Sequence, residues 1–357
     1  MLAGLAAPAP AHLVFGSRTL WQLVSDADLV AHARIEGAEE VIALEGTPER
    51  RPVVRARLLE VWKGEVPAGA LRFAQHGHGT AEFAPGDEAL VFLRRIERVA
   101  ELDELGRRTG LAWVSLQEHD ERWALDGATG AAVASAVRGY AAAGELPDPA
   151  QRVAALREAT LALLGSPDER LASSALRDAV GLPQASLLRR EDLPAVEPLL
   201  ERRSVPIGIR VGLLAELARR GLVEGGPRWL RLLRETAGAE RLEVIRAAGA
   251  QAGPEVTAEL VGLLASPESE TTEAAALALG APGRASAVAP LAAALGRSEA
   301  RVRMAAIRGL GAVATPEARA PLEAAAARHP DPATRRRAAA EAALLARRAP
   351  PAPTKPQ

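Results

Sequence analysis

Ser298-Glu299-Ala300-Arg301-Val302-Arg303-Met304-Ala305-Ala306-Ile307-Arg308-Gly309-Leu310-Gly311 is the stretch whose reading decides the fold. Set 31 residues earlier, Ala274, Ala275, Leu279 and Gly280 occupy the places of Ala305, Ala306, Leu310 and Gly311, with Thr272 where Arg303 stands. Gly249 continues the glycine series, and Leu233, Leu264 and Leu295 keep the same spacing one register earlier. A fixed period of this length marks a solenoid built from one repeated helical pair, in which each unit buries its apolar face only against its neighbours.

Working outward, Val256, Leu260, Leu263 and Leu264 form a helical stripe at i, i+4, i+7 and i+8. Ser266-Pro267 then breaks the chain, and Thr271 to Leu279 supplies a second helix. Val288, Leu291 and Leu295, followed by Val302, Ala305, Ala306, Gly309, Leu310 and Val313, repeat the arrangement. Small residues on the second helix permit close approach, and the closing glycine is expected to take the left-handed cap conformation. The period loosens at both ends. Arg210 and Arg241 are 31 residues apart, but Gly181 to Ala218 takes 37 and Arg303 to Arg336 takes 33. Five to six units are expected over residues 151–348, after a linker at 143–150 that contains Gly144-Glu145-Leu146-Pro147-Asp148-Pro149. Residues 349–357 hold four prolines and are expected to be disordered.

Residues 18–142 read differently. After a short amphipathic segment at Thr19–Val24, the apolar residues Leu29, Ala31, Ala33 and Ile35 alternate with the polar residues His32, Arg34 and Glu36. That is the two-residue period of a half-buried strand. Further strands are expected at Val53–Trp62, Ala70–Ala74, Glu88–Arg94, Leu111–Leu116 and Arg122–Leu125. Loops are expected at 36–51 and 96–110, the latter with helical character. Pro85-Gly86 suits a type II turn and Asp126-Gly127 is a turn signal. Short strands with few helices predict a small β-barrel or sandwich. The fold class expected is therefore multidomain α and β, a small N-terminal β-barrel followed by an α-α superhelix.

Composition narrows the function classes. The 357 residues are 48% hydrophobic and 25% charged, enough to bury a core and remain soluble. A net charge of −1 argues against a dedicated nucleic-acid binder, and 3% aromatics leave few stacking platforms. Lys63 and Lys355 are the sole lysines, a bias that with the abundant alanine suggests a GC-rich, bacterial genome. The absence of cysteine removes disulfides, thiolate metal sites and cysteine nucleophiles. No apolar run approaches the roughly 20 residues of a membrane span. Residues 1–17 open with MLAGLAAPAPA, whose small residues end like a secretory cleavage site, although a basic n-region is missing. One reading is a truncated signal peptide whose start lies upstream; the other is a disordered cytoplasmic N-terminus.

The stretch 298–311, with its acidic turn, Val-Arg, Ala-Ala and closing Leu-Gly, resembles the second helix of a HEAT repeat, in particular the short form named after phycocyanobilin lyases. Asp331-Pro332 with Arg336, Ala338 and Ala339 is similar. The N-terminal part resembles the netrin and tissue-inhibitor-of-metalloproteinase OB-like barrels through Ser25-Asp26-Ala27-Asp28-Leu29-Val30, Leu59-Glu60-Val61-Trp62-Lys63-Gly64 and Pro85-Gly86-Asp87-Glu88-Ala89-Leu90-Val91-Phe92-Leu93. Members of that group commonly carry signal peptides, so the resemblance implies a periplasmic or secreted protein, with a cytoplasmic location as the alternative. Its inhibitors clamp the protease metal with an N-terminal cysteine, which this chain lacks.

Sequence motifs for catalysis are missing. His76 and His78 flank Gly77, but two imidazoles fall short of the three or four ligands a zinc site wants, even with Glu82 and Asp87 following. His12, His119 and His329 stand alone, and His32 is read as an exposed strand residue. There is no nucleophile elbow or phosphate loop, and Gly225-Gly226-Pro227 reads as a turn between repeats. Four of the five tryptophans, Trp21, Trp62, Trp113 and Trp123, fall in the barrel region and are expected in its core, with Trp229 at a contact between repeats. Arg210, Arg241, Arg303 and Arg336 recur once per repeat, interrupted at Thr272. They either read an acidic partner through forked hydrogen bonds or tie each helix to its own or an adjacent turn. The expectation is a non-enzymatic, cofactor-free scaffold for a protein partner. The alternatives are a lyase or isomerase of the tetrapyrrole type that the repeat resemblance implies, and a protease-inhibitor-like activity of the barrel.

Overall fold

The structure, a computed structural model, describes residues 18–42, 50–65, 70–75, 83–117, 123, 125, 127–181, 187–251, 253–281 and 283–348. By contact the chain divides into two units, Met1–Leu187 and Leu188–Gln357. Helix α1 (Leu20–Asp26) opens the first unit with a capping box. The Thr19 hydroxyl accepts from the Gln22 backbone N–H at 3.1 Å, and the Gln22 side chain accepts from the Thr19 N–H at 2.9 Å. Two otherwise orphaned donors are satisfied this way.

Strands β1 (Leu29–Ile42), β2 (Arg50–Lys63), β3 (Leu71–Ala74) and β4 (Glu88–Arg95) follow. Helix α2 (Asp103–Thr109) and strand β5 (Trp113–Ser115) complete the β portion. The strands close as a barrel in the order β1-β2-β3-β5-β4. Only the β3–β5 pair is parallel. Leu29, Ala31, Ala33 and Ile35 point into the core with Val54, Ala56, Phe73, Val91 and Trp113, as the alternation predicts. The first two strands are longer than the alternation shows. Pairing runs on through Ala38↔Val54 and Glu40↔Pro52 into the stretch expected as loop. Backbone hydrogen bonds carry that extension, and they leave no side-chain pattern to read. Bulges at Val30/Ala31, His32/Ala33 and Ile35/Gly37 bend β1 around the small barrel.

Gly86 has φ +93° in the Pro85-Gly86 turn, as type II geometry requires. A second apolar cluster, Val53, Ala74, Ile96, Leu102, Leu105, Leu111 and Val114, joins α2 to the barrel. The charged 96–110 stretch thus has helical turns. The strand expected at Arg122–Leu125 falls largely outside the described residues.

Helices α3 (Gly127–Glu145), α4 (Pro149–Leu164) and α5 (Glu169–Gly181) finish this unit. Asp148 caps α4 by accepting from the Ala150 N–H at 3.0 Å, with Pro149 in the first turn. Helix α1 packs on α3 and α5. The Trp21 ring lies 5.6 Å from that of buried Tyr140, and the Leu20 N–H donates to Ser174 Oγ at 2.7 Å.

The second unit contains α6 (Leu193–Glu201), α7 (Ile207–Arg219), α8 (Gly225–Glu235), α9 (Gly238–Gln251) and α10 (Pro254–Leu263). It continues with α11 (Ser269–Leu279), α12 (Val288–Ala294), α13 (Ala300–Val313), α14 (Pro316–Arg328) and α15 (Pro332–Arg348). The second helices α7, α9, α11, α13 and α15 touch in succession as one layer, while α8 meets α10 and α12 meets α14 in the other. Leu260, Leu279, Leu291, Leu310 and Leu322 are fully buried between the layers. Each contributes about 1.5–3 kcal/mol of transfer free energy.

The 31-spaced glycines do a different job from the one expected. None of Gly249, Gly280 and Gly311 has a positive φ. A Cβ on Gly249 would sit 2.6 Å from the Ala278 carbonyl oxygen, and one on Gly280 would sit 2.8 Å from Gly309 Cα. These residues are glycine because the neighbouring second helix passes too close for a side chain. The left-handed stop of α13 falls instead to Ala314, at φ 55°.

Candidate functional site

The arginine row resolves into helix-to-turn ties. Arg210 is buried and its Nε donates to the Leu200 carbonyl at 2.9 Å. Arg241 Nε reaches the Thr236 carbonyl at 2.7 Å. Arg303, 8% exposed, donates to the Arg297 and Ser298 carbonyls at 3.0 and 2.6 Å, to Thr334 Oγ1 at 3.0 Å and to Asp331 at 2.9 Å. Hydrogen bonds from Thr334 first, and from Arg303 next, hold the Asp331 carboxyl well below the usual carboxylate range. Thr272, where the row is interrupted, is fully buried and its hydroxyl donates to the Ser266 carbonyl at 3.1 Å. A shorter side chain closes the same turn there.

Arg336 lies on the exposed side of α15 and has no ion pair among the described residues. Its neighbour Arg335 donates to the His329 and Pro330 carbonyls at 2.7 and 3.0 Å, repeating the offsets of Arg303. Arg152 makes the same two contacts, to Leu146 and Pro147, in the first unit. Neither residue stood out by spacing, because the repeat slips by one position between Arg303 and α15. The signal that finds them is the arginine's distance from its own turn.

The histidines are structural where described. His329 Nε2 faces the Leu295 carbonyl at 3.1 Å and its Nδ1 accepts from the Asp331 N–H at 3.1 Å, which assigns the ring proton to Nε2. His32 pairs with Glu88 at 3.1 Å. His12, His76, His78, Glu82 and His119 lie outside the described residues, while Asp87 accepts the Ala84 N–H at 3.1 Å across its turn. Among the described residues no three His, Cys, Asp or Glu side chains gather as metal ligands. Gly225 and Gly226 open α8 after the turn from α7.

Only some of the tryptophans are core residues. Trp113, Trp123 and Trp229 are buried, at 4%, 7% and 1% exposure. Trp62 is half-buried with the Arg138 guanidinium 4.7 Å from its ring centre, and Trp123 lies under Arg170 at 4.0 Å. Trp21 packs half-buried on Tyr140. Tryptophan at these sites covers the joint between barrel and helices, where a cation can sit on its face.

In the second unit, the first-helix layer is cross-braced by charge. Arg228 pairs with Glu197, Arg231 with Glu201, and Arg234 with Glu259 at 2.9 Å. The second-helix layer is less occupied. Arg246 on α9, Leu277 on α11 and Arg308 on α13 share one register of the 31-residue period, and all three are exposed, Leu277 at 39%. Neither arginine has an ion-pair partner among the described residues. Half-buried Met304 lies one turn before Arg308, and Ala250 and Ala312 are exposed one turn beyond each arginine. The period could have pointed to this row, but helical periodicity alone does not say which face a neighbouring layer covers. Two open depressions lie elsewhere in this unit, one between α8 and α10 lined by Leu230, Arg234, Glu255 and Glu259, and one at the starts of α9 and α11 lined by Gly238, Leu242, Glu268 and Thr271.

Residues 226–306 and 273–344 match the model of HEAT repeats. No curated protein shows significant sequence similarity to the chain. Among solved structures, a designed armadillo repeat protein in complex with a peptide (KR)4 is 20% identical, covering 52% of this chain and 97% of its own, with a TM-score of 0.35. Human deoxyhypusine hydroxylase in complex with glycerol is 19% identical, covering 62% of this chain and 86% of its own, with a TM-score of 0.31. An engineered protein is 23% identical over 60% of this chain and 65% of its own, with a TM-score of 0.35. The family match covers the segment in which the 31-residue period is regular and the second helices pack glycine to backbone, and the segment from 226 to 344 is built of HEAT repeats.

Proposed function

We propose that the chain is a non-catalytic protein-recognition scaffold in which the repeat array supplies the binding surface and the barrel a second one. The observation that carries this reading is the exposed row Arg246, Leu277 and Arg308 across three adjacent helices, whose arginines have no ion-pair partner among the described residues. Repeat packing holds such a row in place without help from a ligand, so binding a segment costs little ordering on the protein side. The periodic arginines Arg210, Arg241 and Arg303 serve the scaffold by holding turns, since each gives a guanidinium N–H to a turn carbonyl. We further propose that the protein acts outside the cytoplasm, on the strength of the N-terminal small-residue segment and the resemblance of the barrel sequence to exported OB-like domains. No helix among the described residues is long and apolar enough to cross a membrane.

The test is selection of a random displayed peptide library on the full chain. Enriched peptides should lose binding when Leu277→Glu is introduced. Failure to enrich any peptide, or peptides that bind Leu277→Glu equally well, would refute this surface as the recognition site.

A further inference from the structure

The unpaired arginines have a specific consequence for what the array can hold. Four carboxylates on α9, α11 and α15 are already engaged elsewhere. Glu270 and Glu273 on α11 face Arg301 of α13 at 3.5 and 3.6 Å. Glu341 on α15 leans over Gly311 and is paired with Arg337 at 3.2 Å. Glu243 shares the exposed face of α9 with Arg246, but its carboxylate lies over Gly208 in the first turn of α7, where a Cβ would come within 2.7 Å of it. The α7 N-terminus is a favourable place for that negative charge. Arg246 and Arg308 form no ion pair among the described residues, and an exposed leucine lies between them.

We propose that Arg246, Leu277 and Arg308 bind an extended segment of a partner protein that carries two carboxylates on either side of an apolar residue. This rests on the reading of the array as a protein-recognition surface, and it names the chemistry of the partner. Packed helices lie about 8–10 Å apart, so the two arginines stand about 16–20 Å apart across α11. An extended chain rises about 3.3 Å per residue, which places the two acids about five or six residues apart. Guanidinium forks match carboxylates in two parallel hydrogen bonds, and Leu277 with half-buried Met304 offers the apolar residue a shallow seat. A protein segment fits better than nucleic acid. The row carries no aromatic platform for a base.

The experiment uses fluorescein-labelled Gly/Ser peptides with one central leucine flanked by two glutamates, read by fluorescence polarisation on the full chain. Their separation is varied from about three to about nine residues. Binding should peak at about five or six, and should weaken about tenfold with lysine for glutamate or in the R246E/R308E variant. Thermal melts of the variant should match the parent, since both side chains are exposed. If the charge reversal disturbs folding, R246Q/R308Q replaces it and should weaken binding in the same direction. Indifference to spacing, undiminished binding in R246E/R308E, or tighter binding of a labelled oligothymidylate to the same arginines would overturn the proposal. Library peptides that lack an acidic pair and ignore R246E/R308E would overturn this proposal alone. A library that enriches nothing would overturn the recognition reading beneath it.

Discussion

Asp178 sits at the join between α1 and α5, and replacing it with asparagine should stabilise the protein at neutral pH. The residue is 2% exposed, it accepts a hydrogen bond from the Thr19 hydroxyl, and its second carboxyl oxygen is buried without a partner. Burial pushes its pKa up from 3.8 to about 6, against the opposing pull of the Thr19 hydroxyl, the charge of Arg177 and the Trp21 backbone N–H. A carboxyl that is harder to ionise when folded binds more protons in the native state than in the unfolded one between those two values. Stability therefore falls as pH rises through this window and stays at its lower level above it. A displacement of about 2 pK units is about 3 kcal/mol, an upper figure for a single buried group. Asparagine keeps an acceptor for Thr19 and removes the charge. Chemical denaturation of the parent and Asp178→Asn, followed by circular dichroism between pH 4 and pH 8, should give curves that meet near pH 4. The variant should gain about 1–3 kcal/mol by pH 7.5, with the gap opening between about pH 4 and pH 6. Parallel pH profiles, or a variant less stable at pH 7.5, would refute the argument that an ionised carboxylate is being held in an apolar joint.

The remaining predictions concern the array. Arg303→Ala removes donors from two turn carbonyls, Thr334 and Asp331, and should lower stability by about 2–4 kcal/mol, read by the midpoint of urea unfolding. Arg336→Ala, at an exposed site, should stay within about 0.5 kcal/mol of the parent in the same measurement. Gly249→Ala places a Cβ 2.6 Å from the Ala278 carbonyl oxygen, so it should destabilise by about 1–3 kcal/mol despite alanine's better helix propensity. Gly262→Ala, where a Cβ meets nothing within 4 Å, should instead raise the thermal midpoint slightly.

How much was legible beforehand depended on which interaction wrote the pattern. The alternation at Leu29–Ile35 and the stripe at Val256–Leu264 record the burial of apolar surface, the dominant driving force of folding; the strand face is fully buried, while Val256 and Leu260 of the stripe are buried and Leu263 and Leu264 half-buried. Pro85-Gly86 and the Thr19 capping box are local, so neighbouring residues alone specify them. Trp62 was harder, since a tryptophan's apolar body suits a core and a cation-covered joint equally well. The exposed row Arg246, Leu277 and Arg308 was periodic in plain sight, but it was indistinguishable from the other registers of the same helices until one layer covered the rest.

By itself the sequence determined the repeat, its helical pairs, the strand alternation of the N-terminal part and the class of fold, because period and polarity are set residue by residue. Tertiary structure decided the rest. It closed the barrel through a parallel β3–β5 pair, gave Arg335 rather than Arg336 the turn contact, and made Gly249 and Gly280 points of helix approach rather than left-handed caps. It also buried Asp178 and, among the described residues, gave Arg246 and Arg308 no carboxylate partner. In each case the outcome depends on which groups from distant parts of the chain arrive alongside, and local spacing carries no record of that.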